Sequence, residues 1–317
     1  MFTICLILIS FANALAWGTA THAYLAHGAG QGALNSQEFY GGTVPDLFNL
    51  MLDSPDYDYL VDRTHYHFGK VQKEAQGTDL EPFAFGFVSH NEKWGADRTA
   101  HRKGLTTPGE GYIIAQSTLL GPQLQPQIQT ILIESGIDPV IASLLAGPLS
   151  VQLAHPIAET AVDLLIKRNE DPSIGQELLL SAQDRPSAAP DLLVAAYGKS
   201  IAHRMNISEE EAGSFIRNAE TEFRDKMIRY GEILGKSEEE AIQDLSNEGG
   251  TLIDGYLQIV TGVEIHVPAE VLTDFLHLAL QQVKENYHAE IAATLSRLQR
   301  RLSRNLQNIL LPTSLPF

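Results

Sequence analysis

The chain offers no convincing alternating segment of the kind a half-buried strand needs, and this constrains the fold most. What the chain carries instead is helical punctuation. "NISEEEAGSFI" and "GKSEEEAIQDL" each set a serine three residues ahead of a glutamate and in front of an apolar run: Ser208 with Glu211, and Ser237 with Glu240. Such a serine accepts the third helical amide while the glutamate reaches back to the serine amide, so two donors stranded at a helix start are satisfied. "THAYLAHGAGQGAL" opens another helix, and "PDLFNLML" reads as a short one beginning on Pro45, where a missing N–H is harmless. "DLEPFAFGFVSHNEKWGADRTAH" carries a third, interrupted near Gly95. Residues 111–148 are apolar with Gly and Pro punctuation and read as short helices and turns. Residues 268–311 read as a long amphipathic helical stretch whose basic segment "RLQRRLSRN" is read as a solvated face near a helix C-terminus, with contact to anionic lipid as the alternative. With no internal repeat, the expected fold is all-α.

Residues 2–16, "FTICLILISFANALA", form an apolar run ending in the small-residue pattern read by signal peptidase, and are too short for a comfortable membrane span. Residues 1–16 are therefore expected to be a signal peptide. The mature chain would begin at Trp17, be secreted or periplasmic, and have no transmembrane segment. The single cysteine, Cys5, lies in this leader, so the mature chain would have no disulfide and must rely on its core or on metal. A chain that is 44% hydrophobic can supply that core. A net charge of −17 gives a nucleic-acid backbone little to bind, so no nucleic-acid partner is expected. Asn206-Ile-Ser is a glycosylation sequon, relevant only to a eukaryotic secretory route.

The chemistry gathers in the first half, where His22, Asp46, His67, His90, Asp97, His101, His155 and Glu159 fall in order, several in short local pairs. His155 and Glu159, like Asp97 and His101, stand four residues apart, which puts both members of each pair on one helical face. At about 100° per residue, His90, Asp97 and His101 would lie within roughly 40° around one helix axis. Taken singly, such pairs are ordinary surface ion pairs, and His27, His65, His203, His266, His277 and His288 are read as no more than that. Together, nitrogen and oxygen ligands without thiolates fit a hydrolytic site of several zinc ions better than a structural zinc knot.

The ordered segments "WGTATH", "GGTVPD", "HYHFG", "GFVSHNEKWGADRTAH" and "HPIAE" resemble the signature of the zinc-dependent phospholipases C, relatives of the S1/P1 nucleases, over Trp17 to Glu159. The resemblance implies a multi-helical fold with three zinc ions in a cleft. By that resemblance Trp17, through its freed amine and carbonyl, and His22 would hold one ion, with Asp97 bridging to a second. Asp46, His67, His90 and Asp97 would hold the second, and His101, His155 and Glu159 the third. His65 is a rival for His67, and Asp56 and Asp58 are rivals for Asp46; the resemblance favours the His-Phe and Pro-Asp pairs. It also gives Asp46 the role of orienting or deprotonating the attacking water.

The expected organisation is a metal-binding catalytic core over 17–165, with an insertion at about 105–150, and a helical C-terminal extension over 166–317 packed on it. The expected activity is hydrolysis of a glycerophospholipid at a membrane surface, giving diacylglycerol and a phosphorylated head group. The alternatives are an S1/P1-type nuclease or nucleotidase, and a non-catalytic lipid- or surface-binding protein with a decayed zinc site. Two departures from the family stand out. His90 and Asp97 are seven residues apart where the family has four, which on an unbroken helix is about 10 Å of rise, too far for one ion. "NEKWGA" must therefore bulge or break, and Gly95 is the place for it. The apolar segment between His101 and His155 is also far longer than the family's link, and reads as a lid, a membrane-contacting surface or a packed elaboration.

Overall fold

The computed structural model describes residues 17–30 and 35–310, with side chains described as far as Ser303; the expected signal peptide lies outside the described residues. Among the described residues there are α-helices and no strand, so the fold is all-α. The first half contains α1 (Thr19–Ala29), α2 (Ser36–Thr43), α3 (Tyr57–Tyr66), α4 (Gly69–Ala75) and α5 (Glu81–His90). A 3-10 turn, Val44–Phe48, follows α2 and contains Pro45, and a π-helical turn, Arg98–Arg102, follows α5. Then come α6 (Tyr112–Glu134), α7 (Pro139–Asn169), α8 (Ile174–Gln183), α9 (Ala189–Met205), α10 (Glu209–Leu234), α11 (Glu238–Thr261), α12 (Ala269–Val283) and α13 (Tyr287–Leu310). Both capping boxes are formed: Ser208 Oγ accepts the Glu211 amide at 3.1 Å, and Ser237 Oγ accepts the Glu240 amide at 3.4 Å.

The reading of 111–148 as short helices and turns is overturned. Those residues lie in two long helices, α6 and α7, packed against each other as a hairpin. Pro122 and Pro126 sit inside α6, Pro148 and Pro156 inside α7. Four interior prolines at ~3 kcal/mol each cost about 12 kcal/mol. Against that stand the buried aliphatic side chains of the hairpin. They run from Ile113, Leu120, Leu124, Ile128 and Leu132 to Leu149, Leu153, Ile157, Val162, Leu164, Leu165 and Ile166. At about 1.5–3 kcal/mol each they win even at the lower figure. The expected single stretch over 268–311 is likewise two helices, parted at Lys284–Asn286, where Asn286 Oδ1 accepts the Tyr112 hydroxyl at 2.6 Å.

Two apolar cores lie side by side. One gathers Trp17, Leu25, Leu120, Leu164, Phe275 and Leu298 from α1, α6, α7, α12 and α13. The other gathers Phe48, Phe83, Phe87, Tyr197 and Phe223 from the 3-10 turn, α5, α9 and α10. Residues beyond 166 enter both. α5 stands at the seam, with Phe87 in one core and Val88 in the other, and it ends in His90. α7 is long and apolar enough to cross a bilayer by length and composition, but from Leu149 to Ile166 it is largely buried in the protein.

Glu290 of α13 ties the C-terminal helix to the loop before α6. Fully buried, it accepts the Leu105 amide at 2.6 Å, the Thr106 amide at 2.7 Å and the Thr106 hydroxyl at 2.6 Å. It thereby anchors the loop from the π-helical turn to α6. Glu290→Ala removes the charged acceptor shared by three donors of a partly exposed loop and is expected to cost about 1–3 kcal/mol. A shift of the urea midpoint to lower concentration at unchanged slope is the measurement that checks it.

Candidate metal centre

Five side chains from five separate places in the first half meet at one point. His22 comes from the second turn of α1, Asp46 from the 3-10 turn, His65 from the last turn of α3, His90 from the end of α5, and Asp97 from just before the π-helical turn. Asp97 is fully buried and spans the group. Its Oδ1 lies 3.1 Å from His22 Nε2, and its Oδ2 lies 2.9 Å from His90 Nε2 and 3.4 Å from His65 Nε2. Asp46 Oδ1 lies 3.3 Å from His65 Nε2 and 3.4 Å from His90 Nε2. The His22 and His90 rings stack at 3.7 Å between centroids. Within these contacts two groups could hold a metal ion: His22, Asp46 and His90, and His65, His90 and Asp97.

The far sides of the imidazoles decide what the near sides offer. His90 Nδ1 is 2.9 Å from the Gly42 carbonyl and His65 Nδ1 is 3.0 Å from the Val61 carbonyl, and a carbonyl can only accept. Both Nδ1 atoms therefore carry hydrogen, so whenever either ring is neutral it turns a bare Nε2 lone pair inward, the form that ligates a metal ion. Those two Nε2 atoms are 3.3 Å apart. Protonating both would set two positive charges against each other at ~5 kcal/mol for an effective dielectric of about 20. The acidic side is equally unsettled, because neither oxygen of Asp97 has a hydrogen bond, nor does His22 Nε2. A buried carboxylate left in that state costs several kcal/mol. Converging lone pairs and unpaired carboxylate oxygens fit a cation at their centre.

The charges lean the same way. Burial opposes ionising Asp97, but His90 and His22 outweigh it and hold its pKa well below the ordinary carboxylate value. Burial likewise works against a charged His90, yet Asp97 and Asp46 hold its pKa well above the ordinary imidazole value. Burial, helped by His90, pulls His22 down, which keeps it a neutral ligand. The pocket's negative charge demands a cation, whether proton or metal ion.

The seven-residue gap between His90 and Asp97 is closed by the expected break. α5 stops at His90, and the Asn91 side chain folds back to accept the amides of Lys93 and Trp94, both at 2.9 Å, and of Gly95 at 3.3 Å. A Cβ on Gly95 would stand 2.5 Å from the carbonyl oxygens of Ser89 and His90 and 2.6 Å from that of Asn91, so this turn excludes any side chain there. The chain then re-enters helical geometry with Asp97 facing His90.

A third group is His101, His155 and Glu159. His155 Nε2 and Glu159 Oε1 are 2.9 Å apart across one turn of α7, and the His101 and His155 rings lie 5.2 Å apart. Glu92, buried in the turn after α5, meets His101 Nδ1 at 2.5 Å and Arg102 Nε at 3.1 Å. His101 Nε2 is buried without a hydrogen bond. A carboxylate that fixes the far nitrogen of an imidazole sets its tautomer and aim toward a metal. Burial, reinforced by Asp46, Asp163 and Asp97, pushes the Glu159 pKa well above the ordinary value. The side chains that admit most solvent are Asp46, 14% exposed, and His155 and Glu159, each 8%.

Of the residues expected from the sequence, His22, Asp46, His90, Asp97, His101, His155 and Glu159 all stand in these groups. His67 does not. Its side chain is 42% exposed and faces Asp62 at 3.3 Å from outside the cluster, whereas His65, set aside in the sequence reading, is 1% exposed and inside it. Two residues are a half-turn apart near a helix end, so one faces in and the other out. Asp56 is paired with Arg204 at 2.7 Å and Asp58 is exposed, which leaves Asp46 alone of its rivals in the site. Trp17 is buried as well; its indole Nε1 lies 3.1 Å from both the Ala96 carbonyl and Thr99 Oγ1, and its ring stacks on Tyr112. The indole thus pins the start of α1 beside Asp97. Glu92 carries no such signal in the sequence, because a spacing of nine from His101 marks no common helical face.

No family model, curated protein or solved structure matches the chain. The geometry itself separates the two histidines. His65→Ala is expected to lower the metal retained after dialysis at fixed free zinc by at least one ion per chain, and His67→Ala to leave it unchanged. Elemental analysis of the two proteins checks this.

Proposed function

We propose that the protein is an exported zinc-dependent phosphodiesterase of the phospholipase C type, cleaving glycerophospholipids to diacylglycerol and a phosphorylated head group. The observation that carries the reading is the convergence of nitrogen and oxygen donors in three groups, among which His22 Nε2, both Asp97 oxygens, His101 Nε2 and Glu159 Oε1 are buried without a hydrogen bond. Donors of that kind, with no thiolate among them, suit hydrolytic zinc. Trp17 (by its amine and carbonyl once Ala16 is cleaved away), His22 and Asp97 would hold one ion; Asp46, His65, His90 and Asp97 a second; His101, His155 and Glu159 a third. Bound there, zinc would draw charge from the phosphate oxygens and make water acidic enough to attack near neutral pH. Asp46 is the ligand best placed to work on that water. It is the most solvent-exposed of the set, and Asn49 Nδ2 donates to its Oδ1 at 2.8 Å, which fixes the carboxylate plane.

The lipid class is supported by the surface that leads to the site. Val140 and Leu144 are 69% and 72% exposed, Val151 is 37% exposed, and Pro148 is exposed between them. At about 100° per residue these four fall on one stripe of α7 that continues into His155 and Glu159. No Asp, Glu, Lys or Arg occurs in 111–133 or in 139–158, in a chain whose net charge is −17. An uncharged apolar track ending at metal-binding side chains suits an acyl-bearing substrate and gives a polynucleotide nothing to hold.

Phosphatidylcholine vesicles should therefore release phosphocholine in a reaction stopped by chelator and restored by zinc. Asp46→Asn is expected to lower kcat about 100-fold or more with the fold intact. Leu144→Glu is expected to slow turnover of vesicles several-fold while sparing a monomeric short-chain substrate. Cleavage of single-stranded DNA, with no action on phospholipid, would replace this reading with a nuclease.

A further inference from the structure

Helix α1 carries His22 but has no cap of its own. Its N-cap residue is Gly18, which offers no side chain to the amides of the first turn. Those amides are met from α7 instead. Asp163, fully buried, accepts the Ala20 amide through Oδ2 at 2.9 Å and the Thr21 amide through Oδ1 at 2.8 Å. The Thr21 hydroxyl donates to the same Oδ1 at 2.6 Å, and the Tyr230 hydroxyl of α10 donates to Oδ2 at 2.8 Å. Two oxygens and four donors leave this carboxylate with no capacity unused. Its negative charge also sits where the helix dipole is positive.

Gly18 belongs to the same contact. A Cβ there would lie 2.6 Å from Cγ and both carboxylate oxygens of Asp163, so the approach that lets Asp163 reach the amides exists only because residue 18 has no side chain. His22 follows directly, its amide bonded to the Gly18 carbonyl at 3.0 Å. On α7, Asp163 stands one turn beyond Glu159 and two beyond His155, on the same face. One helix therefore supplies two donors of the third group and fixes the helix that supplies His22 to the first.

We infer that Asp163 is a positioning residue for the metal centre: by capping α1 from α7 it sets where His22 stands against Asp97, and so the affinity of the ion those two share. The inference rests on the reading of the cluster as a metal centre. It assigns Asp163 no contact with metal or substrate. Its effect on His22 passes through the backbone of residues 18–22, and it therefore falls most strongly on the ion that His22 holds.

The test uses the full chain as purified and zinc as the probe. Affinities of the successive ions are measured by competition with a chromogenic chelator, and cobalt(II) absorption reports the ligand field of each. Asp163→Ala is expected to weaken one ion about 10- to 100-fold, far more than it alters the others. Gly18→Ala, which keeps the carboxylate but displaces it, should weaken the same ion. In a His22→Ala background neither substitution should weaken that ion further. Should Asp163→Ala fail to fold, Gly18→Ala and Tyr230→Phe are judged by the same criterion, the second with a smaller loss because one donor of four is removed. Unchanged affinities in the variants, or equal weakening of every ion, would overturn the positioning role while leaving the metal centre intact. A wild-type chain that binds no zinc at micromolar concentration overturns the metal centre itself.

Discussion

Both oxygens of Asp97 are buried without a hydrogen bond, and each is met by imidazole nitrogens from helices distant in sequence. That arrangement is expensive unless a cation completes it. Its demands reach outward from there. α1, α3 and α5 must end or turn so that His22, His65 and His90 face one point. The chain after His90 must reverse within a few residues to return Asp97 to the same place. Gly42 and Val61 must present carbonyls to the far nitrogens of two of those rings. The seam between the two apolar cores is where these demands can be met together, because elements of both cores run along it.

α7 is the member that connects this centre to the rest of the molecule. Its first half shows Val140, Leu144 and Val151 to solvent, and its second half is enclosed by α6, α8 and α12. Along one face the surroundings change from solvent, to His155 and Glu159 at a partly open site, to Asp163 sealed under α1. A straight helix is a good ruler for such a sequence of environments, since each turn advances about 5.4 Å.

Much of the fold was legible in the sequence. Helix starts were clearest where the stabilising contact is local, as at Ser208 with Glu211, because serine, glutamate and the amides they bond are all within one turn. Legibility failed where a distant contact decides. Glycine and proline in 111–148 suggested short pieces, and only the α6–α7 packing makes them two long helices. The gap between α12 and α13 is anchored by Tyr112, from far up the chain, and nothing near Asn286 announces it.

The site divides along the same line. His155 with Glu159 could be read from spacing because one helix carries both. The break between His90 and Asp97 could be read because an intact helix would set them too far apart, and Gly95 offered the exit. His65 against His67 could not be settled from sequence, since both flank Tyr66 and the choice depends on how α3 is turned against α5. Glu92, Asp163 and Gly18 escaped for a related reason. None is a donor in the three groups, and each acts on a donor through a third party: an imidazole's far nitrogen, a helix's first amides, or the space a carboxylate needs. Ligand types can be recognised by their chemistry, but the residues that aim them are ordinary acids and glycines. Only the geometry distinguishes them from the others in the chain.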